Sequence, residues 1–311
     1  SFERIYRSAW HPAVPNSAVG GFWAHNFSAS VRLLDAATFG TRYLFANRAG
    51  GEHHVFRNTG SGWLPATQTL DTLSELRDAA AVLTGWQLKV WADDSVETYD
   101  TAGRLLSIKA RNGWLTTLTY SDAATSSTIA PRAGLLIGAR NHFGRELKFS
   151  YDAQGRMAEL LPPGAVSGLG AGSAASPVRY AYDEAASLGA GVAAQGQLTS
   201  VTWQDGAVRR YHHEQPELWY MANEPQLLTG ITDEAGVRYA SFTYGTRSYV
   251  TAGPALLMRS EHAGGADRVD FFYSSYGGYP TTTVTEYSSG SARQLVYYFA
   301  DSGNTRRDVA V

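Results

Sequence analysis

The chain has 311 residues, a formal net charge of −2 and a sequence pI near 6.4, which excludes nucleic-acid binding through a basic surface. With 12% aromatic and only 17% charged residues it is too apolar to be disordered, and without cysteine it has neither disulfides nor thiolate chemistry. Apolar runs such as Ala133 to Ala139 fall far short of the roughly 18 residues that span a bilayer as a helix.

Taken in chain order, the pattern has a period of two far more often than 3.6. The first residues lack the basic start and apolar middle of a signal peptide. Asp71 to Leu83, "DTLSELRDAAAVL", is the exception to the period of two and predicts one short helix capped by Asp71. Asp93-Asp94 predicts a turn ahead of the strand ending at Tyr99. In "YDTAGR" that strand ends, Asp100 accepts backbone N–H groups, and Gly103 supplies the positive φ that closes a four-residue loop. Arg104 and Leu105 then restart a strand. "YDAQGR" repeats the phrase at Tyr151, Asp152, Gly155 and Arg156, 52 residues later. Degenerate copies start at Tyr120 and Tyr182 and lie near Tyr298.

Between the two full copies, Asn112-Gly113 separates two alternating runs. A two-residue loop there places Arg111 opposite Trp114 and Leu105 opposite Tyr120, leaving apolar and polar residues mixed on both faces. Glu146 to Tyr151 alternates, with Leu147, Phe149 and Tyr151 on one side. Pro162 to Pro177 is a Gly/Ala/Ser-rich loop insertion. Asp205-Gly206 predicts another two-residue turn, with Trp203 opposite Val208, and Leu227 to Tyr244 a hairpin with a longer turn ending at Gly236. The C-terminal third is β-branched and aromatic. Stacked hairpins punctuated by one turn phrase bury a face that none buries alone. The fold expected is all-β: antiparallel hairpin repeats in a long curved or spiral sheet.

The phrase "YDxxGRL", followed by an alternating strand and an aromatic-ended one, resembles the Rhs/YD-repeat family, which includes bacterial Rhs polymorphic toxins, cage-forming components of insecticidal toxin complexes and animal teneurins. The likeness is carried by "DDSVETYDTAGRLLSI", "FGRELKFSYDAQGR", "LTGITDEAGVRYASFTYG" and "HAGGADRVDFFY". The start is similar to the segment that precedes the repeats in bacterial Rhs proteins. The usual Gly-Trp-x-x-Asn-Phe core appears here as Gly21, Trp23, Asn26 and Phe27, with Phe22 as an extra aromatic residue. The resemblance implies an N-terminal β segment over residues 1–85 continuing into a repeat sheet over 86–311. It also implies the N-terminal part of a hollow shell that encloses a toxic C-terminal domain. The Asp-Pro-x-x-Gly core of the family's self-cleaving segment does not occur in the sequence.

Other chemistry is weaker. His53-His54 and His212-His213 are adjacent pairs, and neighbours in a strand point to opposite faces, so neither pair makes a bidentate metal site. Gly168 to Gly172, "GLGAG", lacks the Lys-Ser/Thr ending of a phosphate loop. A glycosidase carboxylate role for Asp93 or Asp94 needs a partner across a cleft, and the turn reading is preferred. No Gly-x-Ser-x-Gly elbow occurs. The 18 Tyr and 8 Trp serve either cross-strand packing or sugar stacking, and packing is the simpler reading. The resemblance therefore implies a non-catalytic shell segment without cofactors, secreted or at the cell surface through a bacterial secretion system. Its expected partners are the rest of the cage and a toxin cargo, with self-association through an open sheet edge. The alternative is a glycan- or cell-surface-binding module using exposed aromatic residues.

Overall fold

The computed structural model describes residues 1–7, 18–34, 40–215, 226–245, 255–276, 279–288, 291–302 and 305–310. The chain divides into two compact units, Ser1–Arg179 and Tyr180–Val311. Among the described residues the only helical piece is a single 3-10 turn, Ala263–Gly265, and everything regular besides is antiparallel β.

In the first unit β1 (Arg4–Tyr6) pairs with β2 (Trp23–His25). A four-stranded meander follows, made of β3 (Ser30–Leu34), β4 (Tyr43–Asn47), β5 (His53–Asn58) and β6 (Trp63–Pro65). The main ladder then runs strand by strand through β7 (Thr72–Arg77), β8 (Leu83–Val90), β9 (Ser95–Asp100), β10 (Leu105–Lys109) and β11 (Leu115–Tyr120). It continues through β12 (Leu136–Arg140), β13 (Glu146–Tyr151), β14 (Met157–Leu161) and the start of β15 (Val178–Tyr182), within which the first unit ends at Arg179. Residue 86, the expected start of the repeat sheet, lies inside β8. One face of this ladder is dry. Trp86 and Leu88 on β8 stand opposite Tyr99 and Glu97 on β9, and Phe149, Leu160 and Val178 line up across β13, β14 and β15.

The helix expected over Asp71 to Leu83 does not form. Thr72–Arg77 is β7, in register with β8 from Thr72 opposite Lys89 to Arg77 opposite Leu83. The Asp71 carboxylate is engaged elsewhere: it meets His54 Nδ1 at 2.8 Å and accepts the Trp91 N–H at 2.9 Å. A side chain committed to two tertiary partners does not cap a helix, and pairing with β8 overrides local preference.

One turn geometry recurs. At 48–52, 78–82, 100–104, 110–114, 141–145, 152–156, 203–207 and 233–237, the first residue donates its N–H to the fifth residue's carbonyl. In each, the fourth residue donates back to the first and has positive φ, between 62° and 94°. This is a three-residue loop with a left-handed closing residue, a type I turn plus bulge. It corrects the four-residue loop expected for YDxxGR and both two-residue turns, and it agrees with the longer turn expected to end at Gly236. Asn112 and Asp205 are not at positive φ, whereas a type I′ turn requires it at both central residues. The register moves by one: Lys109 faces Leu115, Ile108 faces Thr116, and Thr202 rather than Trp203 faces Val208. Because a one-residue slip exchanges the faces, the mixed faces expected for this hairpin separate. Leu118 is buried and Thr116 half-buried on one side, while Lys109, Leu115 and Thr117 are exposed on the other.

The second unit carries β16 (Leu198–Thr202), β17 (Val208–His212), β18 (Gly230–Thr232), β19 (Arg238–Gly245) and β20 (Leu256–His262). β21 (Val269–Tyr276), β22 (Tyr279–Ser288), β23 (Ser291–Ser302) and β24 (Thr305–Ala310) complete it, each antiparallel to the next. Here the degenerate phrase at Tyr182 makes no tight turn. Asp183 instead accepts the N–H groups of Gly196 and Gln197, at 2.9 and 3.0 Å, and pins a long connection. The phrase near Tyr298 lies partly outside the described residues.

Candidate functional site

The two YD phrases fold alike to the level of single atoms. Asp100 Oδ1 accepts the Arg104 N–H at 2.8 Å and Oδ2 accepts Arg104 Nε at 2.7 Å; Asp152 and Arg156 repeat both contacts at the same distances. The aspartate thus fixes the loop through the backbone and the arginine through an ion pair. Tyr151 is buried and donates its hydroxyl to the Leu136 carbonyl at 2.5 Å, closing its hairpin 15 residues back. Tyr120, in a degenerate phrase, does the same to Leu105 at 2.8 Å. Burial pushes the Tyr120 phenol up to about 12 and Tyr151 higher still, so both remain donors. Tyr99 is fully buried but bonds differently. Its hydroxyl donates to Glu97 at 2.5 Å, and Glu97 also receives both terminal nitrogens of Arg48 from the N-terminal meander.

The N-terminal motif closes onto these turns. Asn26 Oδ1 accepts the Glu3 N–H at 3.1 Å and its amide donates to the Ser1 carbonyl, holding β1 against β2. Phe27 is buried beside His25, and Phe2, in contact with both, reaches Phe149 on β13 at 5.3 Å. Gly21 lies in the turn between Gly20 and Phe22, both at positive φ, and Trp23 is buried against Tyr6. From there the chain crosses both YD turns. Val31 donates its N–H to the Gly103 carbonyl at 3.0 Å, Ser30 bridges to Arg104, and Met157 donates to the Ala18 carbonyl at 2.7 Å.

Nothing in the sequence marks this docking, because both partners meet through ordinary backbone. Between the crossing segment and the sheet lies a chamber of about 770 Å³ lined by both YD turns and the N-terminal motif. Sequence reasoning missed His25, Asn47, Arg48 and Arg132 on its wall. A lone histidine or arginine in a strand pattern carries no signal until the fold brings it to a cavity.

At the other end of the same ladder, the turns after β8, β10 and β12 carry exposed aromatic rings. Trp91, Trp114 and Phe143 are 65%, 53% and 69% exposed. Trp114 stacks on His142 with centroids 4.3 Å apart and meets Phe143 edge-on at 5.5 Å. Asp94 joins the first two turns, 2.7 Å from Lys89 and 3.9 Å from Arg111, beside an open groove containing Asp93 and Asn112.

The histidine pairs are used structurally. His212 meets Thr232 at 2.7 Å and Glu214 at 3.3 Å, and His213 lies between the carbonyls of Leu227 and Leu198. Among the described residues no group of three His, Asp or Glu is placed to hold a metal, and no helix is long and apolar enough to cross a membrane. The "GLGAG" loop is tied internally, Ser176 Oγ donating to the Gly170 carbonyl at 2.6 Å.

No family model and no curated protein matches the chain. Among solved structures it is similar to a mutant form of the Photorhabdus luminescens Tc holotoxin pore, at 13% identity and a TM-score of 0.27 over 91% of this chain. It is also similar to a TcdB2-TccC3 crystal structure, at 11% identity and a TM-score of 0.23 over 86%, and to one lacking the hypervariable C-terminal region, at 12% and 0.21 over 94%. The chain spans 16–19% of the length of those chains. These are likenesses only, too distant to bear on what this chain does.

Proposed function

We propose that the chain is a non-catalytic wall segment of a bacterial Rhs/YD-repeat toxin, with residues 1–85 as the starting cap and 86–311 as the repeat wall. Its partners are the remainder of the shell and a toxic cargo domain in a longer parent protein, exported from or displayed on the cell. The observation that carries the reading is the crossing of the N-terminal segment over both YD turns, through Val31–Gly103 and Ala18–Met157. Such a strap joins successive repeats into one continuous surface, as a container requires. The ion pairs Asp100–Arg104 and Asp152–Arg156 around it hold the two turns. The test is cargo proteolysis in the parent protein with and without residues 99–160. Containment predicts faster cleavage of the cargo after the deletion; equal protection overturns it.

A second reading is favoured by the row of Trp91, Trp114 and Phe143. Flat exposed rings beside Asp93, Arg111 and Asn112 offer stacking faces and hydroxyl partners to a sugar. On this reading the far ends of the hairpins contact a cell-surface glycan. A glycan array with wild type and Trp114→Ala tests it: a hit lost in the variant supports binding, and silence across the array removes it.

A further inference from the structure

We infer that the chamber beneath the N-terminal strap is a binding site for a small multivalent oxyanion, an organic phosphate or polycarboxylate. Five arginines line it, Arg32, Arg48, Arg104, Arg132 and Arg156, and among the described residues no carboxylate side chain does. Three are neutralised from behind: Arg48 by Glu97, Arg104 by Asp100 and Arg156 by Asp152. Arg32 and Arg132 form no ion pair among the described residues. The Arg32 guanidinium lies over the Phe45 ring at 5.8 Å, and Arg132 Nε lies 3.1 Å from where a Cβ on Gly155 would stand. Two arginines on the lining are therefore left without a counter-ion among the described residues, and both are exposed, so they can meet an anion entering from solution.

Asn47 and His25 on the wall can add donors. Asn47 is 1% exposed, and its Oδ1 has no hydrogen-bond partner while Nδ2 reaches Ser30 Oγ at 3.3 Å. Turning the amide over exchanges the unpartnered end: Ser30 then donates to Oδ1, and the NH₂ becomes the buried group open to an acceptor. His25 accepts the Phe27 N–H on Nδ1 at 3.2 Å, so in the neutral ring the proton sits on Nε2, which has no protein acceptor among the described residues. The Tyr120 and Tyr151 hydroxyls, already spent on carbonyls, offer no competing donor-acceptor pair. A wall of guanidinium, amide and imidazole N–H groups matches a ligand whose surface is oxygen, and planar guanidinium groups match phosphate and carboxylate geometry. The volume lies within the range of small-molecule sites.

The experiment is calorimetric titration of the full chain with pyrophosphate and, separately, citrate. The variants are Arg32→Gln, Arg132→Gln and the double variant, with Arg57→Gln as a control outside the chamber. All three arginines are exposed, so the substitutions leave packing intact. The expected result is saturable binding of at least one probe, weakened about tenfold or more by each chamber variant and unaffected by Arg57→Gln. Which probe binds distinguishes a phosphate from a carboxylate ligand. Absence of saturable binding at millimolar probe, or equal weakening by Arg57→Gln, overturns the proposal. Neither result bears on cargo protection, so the two readings fail separately.

Discussion

Val31 and Gly103 meet backbone to backbone: the Val31 N–H donates to the Gly103 carbonyl at 3.0 Å, and the Val31 carbonyl oxygen lies 1.8 Å from where a Cβ on Gly103 would be. Gly155, the equivalent position of the second phrase, faces only the side chain of Arg132. Both have positive φ, 85° and 77°, so both substitutions to Ala carry roughly 1–2 kcal/mol of left-handed strain. At Gly103 the steric conflict is with backbone, which cannot swing away, and overpacking adds about 1–3 kcal/mol. Gly103→Ala should therefore lower the urea midpoint clearly more than Gly155→Ala. Equal losses would mean that the strap does not seat on the first turn.

The Arg48–Glu97–Tyr99 cluster supplies the next expectation. Glu97 is buried and takes hydrogen bonds from both partners, and burial together with Glu97's charge pushes the Tyr99 phenol well up. Arg48→Met leaves a buried carboxylate without its cation, which costs about 3–5 kcal/mol, whereas removing both charges in Arg48→Met/Glu97→Leu costs much less. Chemical denaturation of the single and double variants forms the cycle. Additive losses would show that the two groups are not coupled.

Acid should loosen the strap through His25. Burial pushes its imidazole down to about 4 from an ordinary value near 6.5. The folded state therefore binds fewer protons than the unfolded chain. Stability from this group is complete above pH 6.5 and falls as pH drops towards 4, by about 1.4 kcal/mol per unit, or about 3 kcal/mol in all. His25→Phe should flatten that part of the stability profile between pH 6.5 and 4. A profile unchanged by the substitution would place the titrating group elsewhere.

The sequence makes the turns legible and leaves the register hidden. Tyr99-Asp100-x-x-Gly103-Arg104 and its copy could be read as turns because Asp, Gly and Arg each have a local role there. The Asn112-Gly113 and Asp205-Gly206 pairs locate hairpins equally well, but the same dipeptide suits a two-residue turn or a three-residue loop with a left-handed Gly. Choosing between these depends on the φ of Asn112, which the sequence does not state. Asp71 looked like a cap because its tertiary partners, His54 and Trp91, lie 17 and 20 residues away. The chamber was out of reach for the same reason. Its wall is assembled from Arg32, Asn47, Arg104 and Arg132, which share no spacing and meet only once the strap has crossed the turns.

The register at Asn112-Gly113 can be tested without a second structure. In the observed loop, Ala110 pairs with Trp114 by Ala110 N–H to Trp114 carbonyl at 2.8 Å, and Arg111 is the first loop residue of the type I turn. That position favours proline, whose fixed φ matches it. Ala110, ahead of it, follows directly on β10, where a following proline prefers an extended backbone. In a two-residue turn Arg111 would instead be the pairing residue opposite Trp114, and its N–H would carry a ladder bond that proline cannot supply. Arg111→Pro should accordingly be neutral or stabilising by up to about 0.4–1 kcal/mol, through a less flexible unfolded chain. The substitution also removes the Arg111–Asp94 ion pair, which is long and exposed at 3.9 Å and contributes little. Thermal denaturation decides the matter. A drop in melting temperature on the scale of a missing strand hydrogen bond would restore the two-residue turn and reverse the faces of β10 and β11.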